Sequence, residues 1–267
     1  SGDIGRPQSL IVRDPENPPR ADYVFMESTY GDRNHKNESG SAEELAEAVA
    51  YSHARGEKVI IPAFAVERTQ EVLYCLHMLN SQGKLPGDMP VFVDSPLAIR
   101  ATEIFERNRE LFDEHAKALL NSGDNPFSLP NLRYTLSSAE SRAINEVSGP
   151  AIVISASGMC NAGRIKHHLK HNIWKPGASV VFVGYQAVGT PGRKLVEQAK
   201  KITLFGEDMD VKARIFTING FSGHAGQSQL LDWILPMAKA GSRVVLIHGE
   251  PKAQETLRDK IKKESGK

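Results

Sequence analysis

The amino-acid sequence predicts an α/β fold in which a parallel β-sheet is flanked by helices. Short β-prone runs alternate with helical patterns from Lys58 to Ala199, and this alternation is typical of a doubly wound sheet. Glycine and small polar residues follow several of the runs, and sheets of this kind bind ligands at the carboxyl ends of their strands. With 267 residues, the chain has the length of one large α/β domain or two smaller ones.

The predicted elements are short and regularly spaced. The strands are Ser9 to Val12, Tyr23 to Met26, Lys58 to Ile61, Val91 to Val93, Ala151 to Ile154, Ser179 to Val183, Ile202 to Phe205, Ala213 to Ile218 and Arg243 to Leu246. The helices start near Ala42, Thr69, Ala98, Leu111, Ser138, Arg164, Gly192, Gln229 and Pro251. We expect Ile202 to Phe205 and Ala213 to Ile218 to form a hairpin across Gly206 to Asp210.

Composition sets few limits on function. The formal net charge is +1, so a nucleic-acid site would have to be a local basic groove. The two cysteines, Cys75 and Cys160, give no disulfide framework and suit a reducing cytoplasm. No apolar run approaches the length of about 20 residues that spans a bilayer, and no signal peptide is visible. We therefore expect a cytoplasmic protein without a membrane partner.

Two histidines follow predicted strands near the end of the chain. His224 lies between small residues in Ser222-Gly223-His224-Ala225-Gly226, before a helix, and His248 follows the last strand. Histidines at the ends of neighbouring strands can reach one shared site.

Three charged residues also stand at turns or strand ends. Asp3 lies in a Ser-Gly-Asp turn. An aspartate in such a turn commonly forms a hydrogen bond with its own backbone, which is the alternative to a functional role. Glu27 ends an apolar strand and needs a partner, which an ordinary salt bridge would supply. Arg68 opens a helix, where it would face anions or pair with Glu71.

A strand–turn–helix pattern surrounds Ser155, Ser157 and Gly158. Backbone N–H groups at such a helix start can hold a phosphate. The Gly-Lys-Ser/Thr ending of a nucleotide-binding loop is missing, so an ordinary tight turn is the alternative.

Six motifs in this order resemble the β-CASP branch of metallo-β-lactamase-fold nucleases, and the resemblance covers nearly the whole chain. They are Ser1-Gly2-Asp3, Glu27-Ser28-Thr29-Tyr30-Gly31, Phe64-Ala65-Val66-Glu67-Arg68, Ser157-Gly158-Met159, Ser222-Gly223-His224 and His248-Gly249-Glu250. The resemblance implies a partial αββα metallo-β-lactamase sandwich with an inserted Rossmann-like β-CASP domain. Residues 1–31 and 201–267 would belong to the truncated sandwich, and residues 32–200 to the insertion.

The same resemblance implies roles for single residues. Asp3 looks like a zinc-bridging aspartate and His248 like a zinc ligand. Glu27 looks like the acidic residue that orients the catalytic histidine, and His224 like that histidine, a candidate general acid. The RNA or phosphate contacts would come from Arg68, Ser155, Ser157, Gly158 and Ser222.

The implied function is zinc-dependent hydrolysis of RNA by two metal ions that activate water. The resemblance implies an endoribonuclease, with 5′ exonuclease activity as a second mode, acting on single-stranded RNA. RNA is favoured over DNA because RNA-acting members carry a histidine like His248. A homodimer is the oligomer that the relatives suggest. The alternatives are a non-catalytic RNA-binding or scaffold subunit and a small-molecule metallo-hydrolase.

The sequence departs from the family pattern in two places. The metal-binding run His-x-His-x-Asp-His is missing from these residues, so we expect a fragment that alone is inactive and does not hold two zinc ions tightly. Gly226 stands where family members more often carry aspartate, which bears on the orientation of His224.

Overall fold

The chain divides into two compact units in a computed structural model that describes residues 1–35 and 40–266. Unit 1 comprises Ser1–Lys36, Leu111–Glu114 and Ser222–Lys267, and unit 2 comprises Asn37–Glu110 and His115–Phe221. The domain limits predicted from the sequence, after residues 31 and 200, stay predictions. Among the described residues, no helix combines the length and the apolar character needed to cross a membrane.

Strands and helices alternate along most of the described chain. The strands are β1 (Tyr23–Glu27), β2 (Val59–Pro62), β3 (Val91–Val93), β4 (Leu132–Tyr134), β5 (Ile152–Ser155), β6 (Ser179–Phe182), β7 (Lys201–Leu204), β8 (Glu207–Asp210), β9 (Arg214–Thr217) and β10 (Arg243–Ile247). The α-helices are α1 (Ser41–His53), α2 (Arg68–Ser81), α3 (Pro96–Arg107), α4 (Glu114–Asn121), α5 (Ser138–Glu146), α6 (Ile165–Asn172), α7 (Pro191–Val196), α8 (Gln227–Ala240) and α9 (Pro251–Ser265).

Unit 2 is built on a six-stranded sheet in the order β4-β3-β5-β2-β6-β9. Every strand pair in it is parallel. All residues of β2, β5 and β6 are buried, as expected for parallel strands with both faces covered by helices. The predicted α/β class with a parallel, helix-flanked sheet is confirmed.

The predicted hairpin is wrong in its second strand. β7 pairs antiparallel with β8, and β9 instead joins the large sheet beside β6. The turn is Phe205-Gly206, where both residues have positive φ, at 53° and 82°. Two such residues are what the tightest hairpin turns require. β8 could not be predicted from the sequence, because its residues are mostly acidic and lack the alternation of apolar and polar residues that indicates a strand.

Two other sequence-based elements also differ. β4 was not predicted, and the predicted strand Ser9 to Val12 reduces to a single bridge between Val12 and Phe112. The helix expected from Leu111 begins instead at Glu114.

Unit 1 contains the parallel pair β1 and β10, in register from Tyr23 opposite Arg243 to Glu27 opposite Ile247. The alternate β1 residues Val24 and Met26 pack with apolar residues of α8 and α9 in one core. This register brings the carboxyl ends of both strands to the same place, where the candidate site lies.

Candidate metal and catalytic site

The parallel pairing of β1 and β10 positions the first two site residues. Glu27 is the last residue of β1, and His248 directly follows β10. His224 comes from the segment that precedes α8, and Asp3 from the start of the chain. All four of these residues belong to unit 1.

Glu27 and His224 form a direct hydrogen bond although they are 197 residues apart, with 2.7 Å between Oε2 and Nδ1. The predicted proximity of these two residues is confirmed. The other carboxylate oxygen of Glu27 accepts from the backbone N–H of Ile4 at 2.7 Å. The Glu27 side chain is 1% exposed, so both of its oxygens depend on protein partners.

The pKa of the Glu27 carboxyl lies below its ordinary value. Burial raises this pKa, but the hydrogen bond and charge of His224, followed by the N–H of Ile4, lower it by more. The carboxylate therefore stays ionised next to the imidazole, and as an acceptor it holds the proton of His224 on Nδ1.

The backbone on either side of His224 is also held in place. The N–H of His224 donates to Oγ of Ser222 at 3.3 Å, and Nε2 of His35 donates to the His224 carbonyl at 2.8 Å. Ser222 is 2% exposed, so its side chain serves this turn. Its predicted role as a phosphate contact stays a prediction.

Gly226 has a local explanation in the start of α8. Oδ1 of Asn34 accepts from the N–H of Ser228 at 2.9 Å and therefore caps the helix from a neighbouring loop. A Cβ atom at position 226 would lie 3.1 Å from that same oxygen. Glycine lets Asn34 approach and supply the cap, while Glu27 and His35 orient His224.

Asp3, His224 and His248 form a cluster of metal-binding groups. One ligand atom from each residue lies within 4.8 Å of the others. Oδ1 of Asp3 is 3.8 Å from Nδ1 of His224 and 3.7 Å from Nδ1 of His248. The Asp3 side chain is 62% exposed.

This donor set fits a zinc ion. Carboxylate and imidazole are common zinc ligands, and ligand atoms around a tetrahedral ion lie about 3.4 Å apart. Because Nδ1 of His224 is engaged by Glu27, Asp3 and His248 are the better pair of ligands.

The other predicted contacts lie in unit 2, at or near the carboxyl ends of its strands. Arg68 is 5% exposed and forms an ion pair with Glu71, which is the alternative that the sequence left open. This pair satisfies the guanidinium group within the unit, and the role of Arg68 as a phosphate contact stays a prediction.

Ser155, Ser157 and Gly158 surround the turn after β5. Oγ of the buried Ser155 donates to the carbonyl of Asp94 at 2.8 Å. Oγ of the half-buried Ser157 donates to the carbonyl of Ala162 at 3.2 Å. A Cβ atom at Gly158 would meet the ring of Phe64. These contacts describe a tight turn, and its phosphate role stays a prediction.

Sequence reasoning missed a buried polar network around Asp94. Its carboxylate contacts Nε2 of His168 and Oγ of Ser141 at 2.6 Å each, Oγ1 of Thr135 at 2.6 Å and Nη1 of Arg164 at 2.8 Å. Burial raises the pKa of Asp94, but the hydrogen bond from His168 and those from Ser141 and Thr135 bring it to about 2.

A sequence signal for one half of this network was present. His168 lies three residues after Ile165 and one before Leu169, on the buried side of α6. An amphipathic reading of this helix therefore places the imidazole inside, where it needs a polar partner.

Comparison with known proteins gives two matching family models. Residues 69–195 match the Beta-Casp domain, and residues 208–267 match the Zn-dependent metallo-hydrolase RNA specificity domain. The α/β fold and these two matches define the class of protein as one that combines a Beta-Casp domain with a metallo-hydrolase RNA specificity domain.

Curated relatives match nearly all of the chain. Ribonuclease TTHA0252 of Thermus thermophilus is 40% identical over 250 residues, which are 94% of this chain and 56% of the relative. Transcription termination factor FttA of Thermococcus kodakarensis is 33% identical, over 93% of this chain and 39% of the relative. FttA of Methanocaldococcus jannaschii is 32% identical, over 87% of this chain and 37% of the relative. The chain belongs to the β-CASP family of metallo-β-lactamase-fold proteins, and it spans about half the length of these relatives or less.

Proposed function

We propose that the complete protein containing this chain is a metal-dependent ribonuclease that hydrolyses phosphodiester bonds in single-stranded RNA. The observation that carries the proposal is the hydrogen bond between the buried carboxylate of Glu27 and His224, beside the ligand pair Asp3 and His248, all within unit 1. A scaffold subunit would not need this combination of an oriented imidazole and metal-binding groups.

Zinc is the metal in this proposal, with two ions in the complete protein, and Asp3 would be a ligand to both. When bound, zinc supplies an activated water and stabilises the charge that develops on the phosphate. Asp3 and His248 are too few ligands for two ions, since each ion usually has three or four. We infer that residues 1–267 alone do not hold both ions tightly and are inactive.

His224 is the general acid in this proposal. The Glu27 carboxylate holds a proton on Nδ1 of His224, which leaves Nε2 to carry the proton that the leaving oxygen takes. The pair also keeps the ring in one orientation, because Glu27 is fixed by Ile4 and cannot turn away.

RNA as the substrate is supported by similarity. The first relative is named a ribonuclease, and the second matched model is named an RNA specificity domain. Endonucleolytic cleavage is the main mode that we propose, with 5′ exonuclease activity as a second. A homodimer and a cytoplasmic location complete the proposal.

The test uses the complete protein, zinc and labelled single-stranded RNA. We expect His224→Ala to reduce the rate of cleavage by about 10²–10⁴-fold. His53→Ala is the matched control, because His53 lies at the end of α1 in unit 2 and its side chain is 37% exposed. Equal cleavage by wild type and His224→Ala would show that the catalytic assignment is wrong.

Substrate form separates the modes of cleavage. A circular RNA has no 5′ end, so its cleavage requires endonuclease activity. A DNA oligonucleotide of the same sequence tests the preference for RNA, and faster cleavage of the DNA would contradict the proposed substrate.

A further inference from the structure

Thr29 lies between the two histidines of the site. It is 6% exposed and follows β1 by two residues. Its Oγ1 donates to the carbonyl oxygen of His248 at 3.0 Å. The same oxygen is 3.3 Å from Nδ1 of His248 and 3.4 Å from Nδ1 of His224.

The backbone of His248 has an unusual conformation that needs external support. Its φ angle is 50°, in the left-handed region that few residues other than glycine adopt. The His248 carbonyl accepts from both Thr29 and the N–H of Ser28, the latter at 3.4 Å. A residue keeps a left-handed conformation only where the surrounding structure holds it there. These two hydrogen bonds to its carbonyl help to hold His248 in this conformation.

The positions of the protons follow from counting donors. A threonine hydroxyl has one hydrogen, and the carbonyl of His248 can only accept it. With that hydrogen given to the carbonyl, the 3.3 Å contact between Oγ1 of Thr29 and Nδ1 of His248 is satisfied when Nδ1 is the donor. Nδ1 of His224 donates instead to Glu27, which is closer, at 2.7 Å. A neutral imidazole with its hydrogen on Nδ1 carries its lone pair on Nε2.

We propose that Thr29 is a positioning residue that fixes both the backbone and the ring tautomer of His248, so that Nε2 of His248 is the metal-binding atom. This inference rests on the proposed function, because it takes His248 to be a zinc ligand. Glu27 and Thr29 then act in parallel on adjacent histidines, each by holding the hydrogen on Nδ1. Partners that hold the second nitrogen of a metal-binding histidine strengthen metal affinity.

The test compares Thr29→Val, Thr29→Ser and Ser28→Ala in the complete protein. Valine keeps the shape of threonine without the hydroxyl group, and serine keeps the hydroxyl. Oγ of Ser28 donates to the carbonyl of Ile247 at 2.8 Å. Ser28→Ala therefore removes a neighbouring hydrogen bond of the same loop that touches no imidazole.

Zinc affinity, measured by competition with a chromophoric chelator, is the main readout. We expect Thr29→Val to weaken it by about 10–100-fold, and Thr29→Ser and Ser28→Ala to stay near wild type. In the zinc-free protein, ¹⁵N NMR should find the hydrogen of His248 on Nδ1. Thermal unfolding of each variant shows whether it is folded.

Three results would overturn the inference: unchanged zinc affinity in Thr29→Val, an equal loss in Ser28→Ala, or a wild type that binds no zinc. If Thr29→Val does not fold, failure of Thr29→Ser to retain zinc affinity decides against it. Zinc binding without RNA cleavage by wild type would refute the proposed function and leave the inference intact. RNA cleavage by wild type, together with unchanged zinc affinity in Thr29→Val, would support the proposed function and refute the inference about Thr29.

Discussion

Replacing Glu27 by glutamine tests the link between the buried carboxylate and the acid function of His224. The two carboxylate oxygens accept from two donors, the N–H of Ile4 and Nδ1–H of His224, each at 2.7 Å. Glutamine has nearly the same shape but only one acceptor oxygen. One of the two donors would therefore face the amide NH₂ group.

The imidazole is the partner that adapts, because the backbone N–H of Ile4 cannot lose its hydrogen. We expect the glutamine oxygen to stay on Ile4 and its NH₂ group to donate to Nδ1 of His224. Nδ1 then holds a lone pair, and protonation of His224 is opposed, since a second hydrogen there would meet a donor. His224 becomes a poor acid, and the rate of cleavage should fall by about 10²–10⁴-fold, or about 2.7–5.4 kcal/mol in the barrier.

Single-turnover cleavage of labelled RNA by the complete protein measures this effect. Glu255→Gln is the matched control, because Glu255 is exposed on α9. The free energy of unfolding should fall by no more than about 3 kcal/mol, the value of one hydrogen bond to a charged group. A folded Glu27→Gln variant that cleaves at the wild-type rate would refute the reasoning.

Other predictions concern stability and metal binding. Asp94 has a pKa of about 2 against an ordinary 3.8. Its ionised form therefore stabilises the fold at pH values above 3.8, and this stabilisation is lost as the pH falls towards 2. Between pH 5 and pH 2 the stability gap between wild type and Asp94→Asn should shrink by about 2 kcal/mol, and a constant gap in denaturant unfolding would contradict this. Gly249→Ala would place Cβ 2.6 Å from the Ser28 carbonyl oxygen and should destabilise by about 1–3 kcal/mol. Gly184→Ala should not destabilise the fold, because a Cβ atom there meets open space. Equal melting temperatures of the two variants would contradict this prediction. Asp3→Asn should weaken zinc binding at least about tenfold with little change in stability, because the side chain is exposed; unchanged affinity would remove Asp3 from the site.

The fold class could be predicted because parallel strands that are buried on both faces consist of continuous apolar residues. β2, β5 and β6 are apolar runs bounded by turns, and both faces of each strand are covered. β8, with the sequence Glu-Asp-Met-Asp, has no such pattern, since it is an exposed partner in a two-stranded hairpin. Its formation depends on the turn geometry of Phe205 and Gly206, and Phe205 is not a residue that signals a positive φ.

The site was predictable only in part. The pairing of Glu27 with His224 came from the resemblance of motifs, because no periodicity links residues 197 positions apart. Arg68 shows the opposite case: its partner Glu71 is three residues further along the same helix, and this local ion pair was visible as an alternative. The partners of Asp94 were not visible, because they come from separate segments that only the folded sheet brings together.

The geometry of the candidate site is a property of strand register. Parallel pairing places Glu27 opposite Ile247, so that His248 is the first residue beyond the pair. A shift of one residue would move His248 by about 3.3 Å along the strand and turn its side chain to the other face. Hydrogen bonds from Ser28 to Ile247 and from Thr29 to His248 continue the pairing beyond the strand ends. The last residue of β1 thus supplies the carboxylate that orients one histidine, the segment after it supplies the hydroxyl that orients the other, and a single register fixes both.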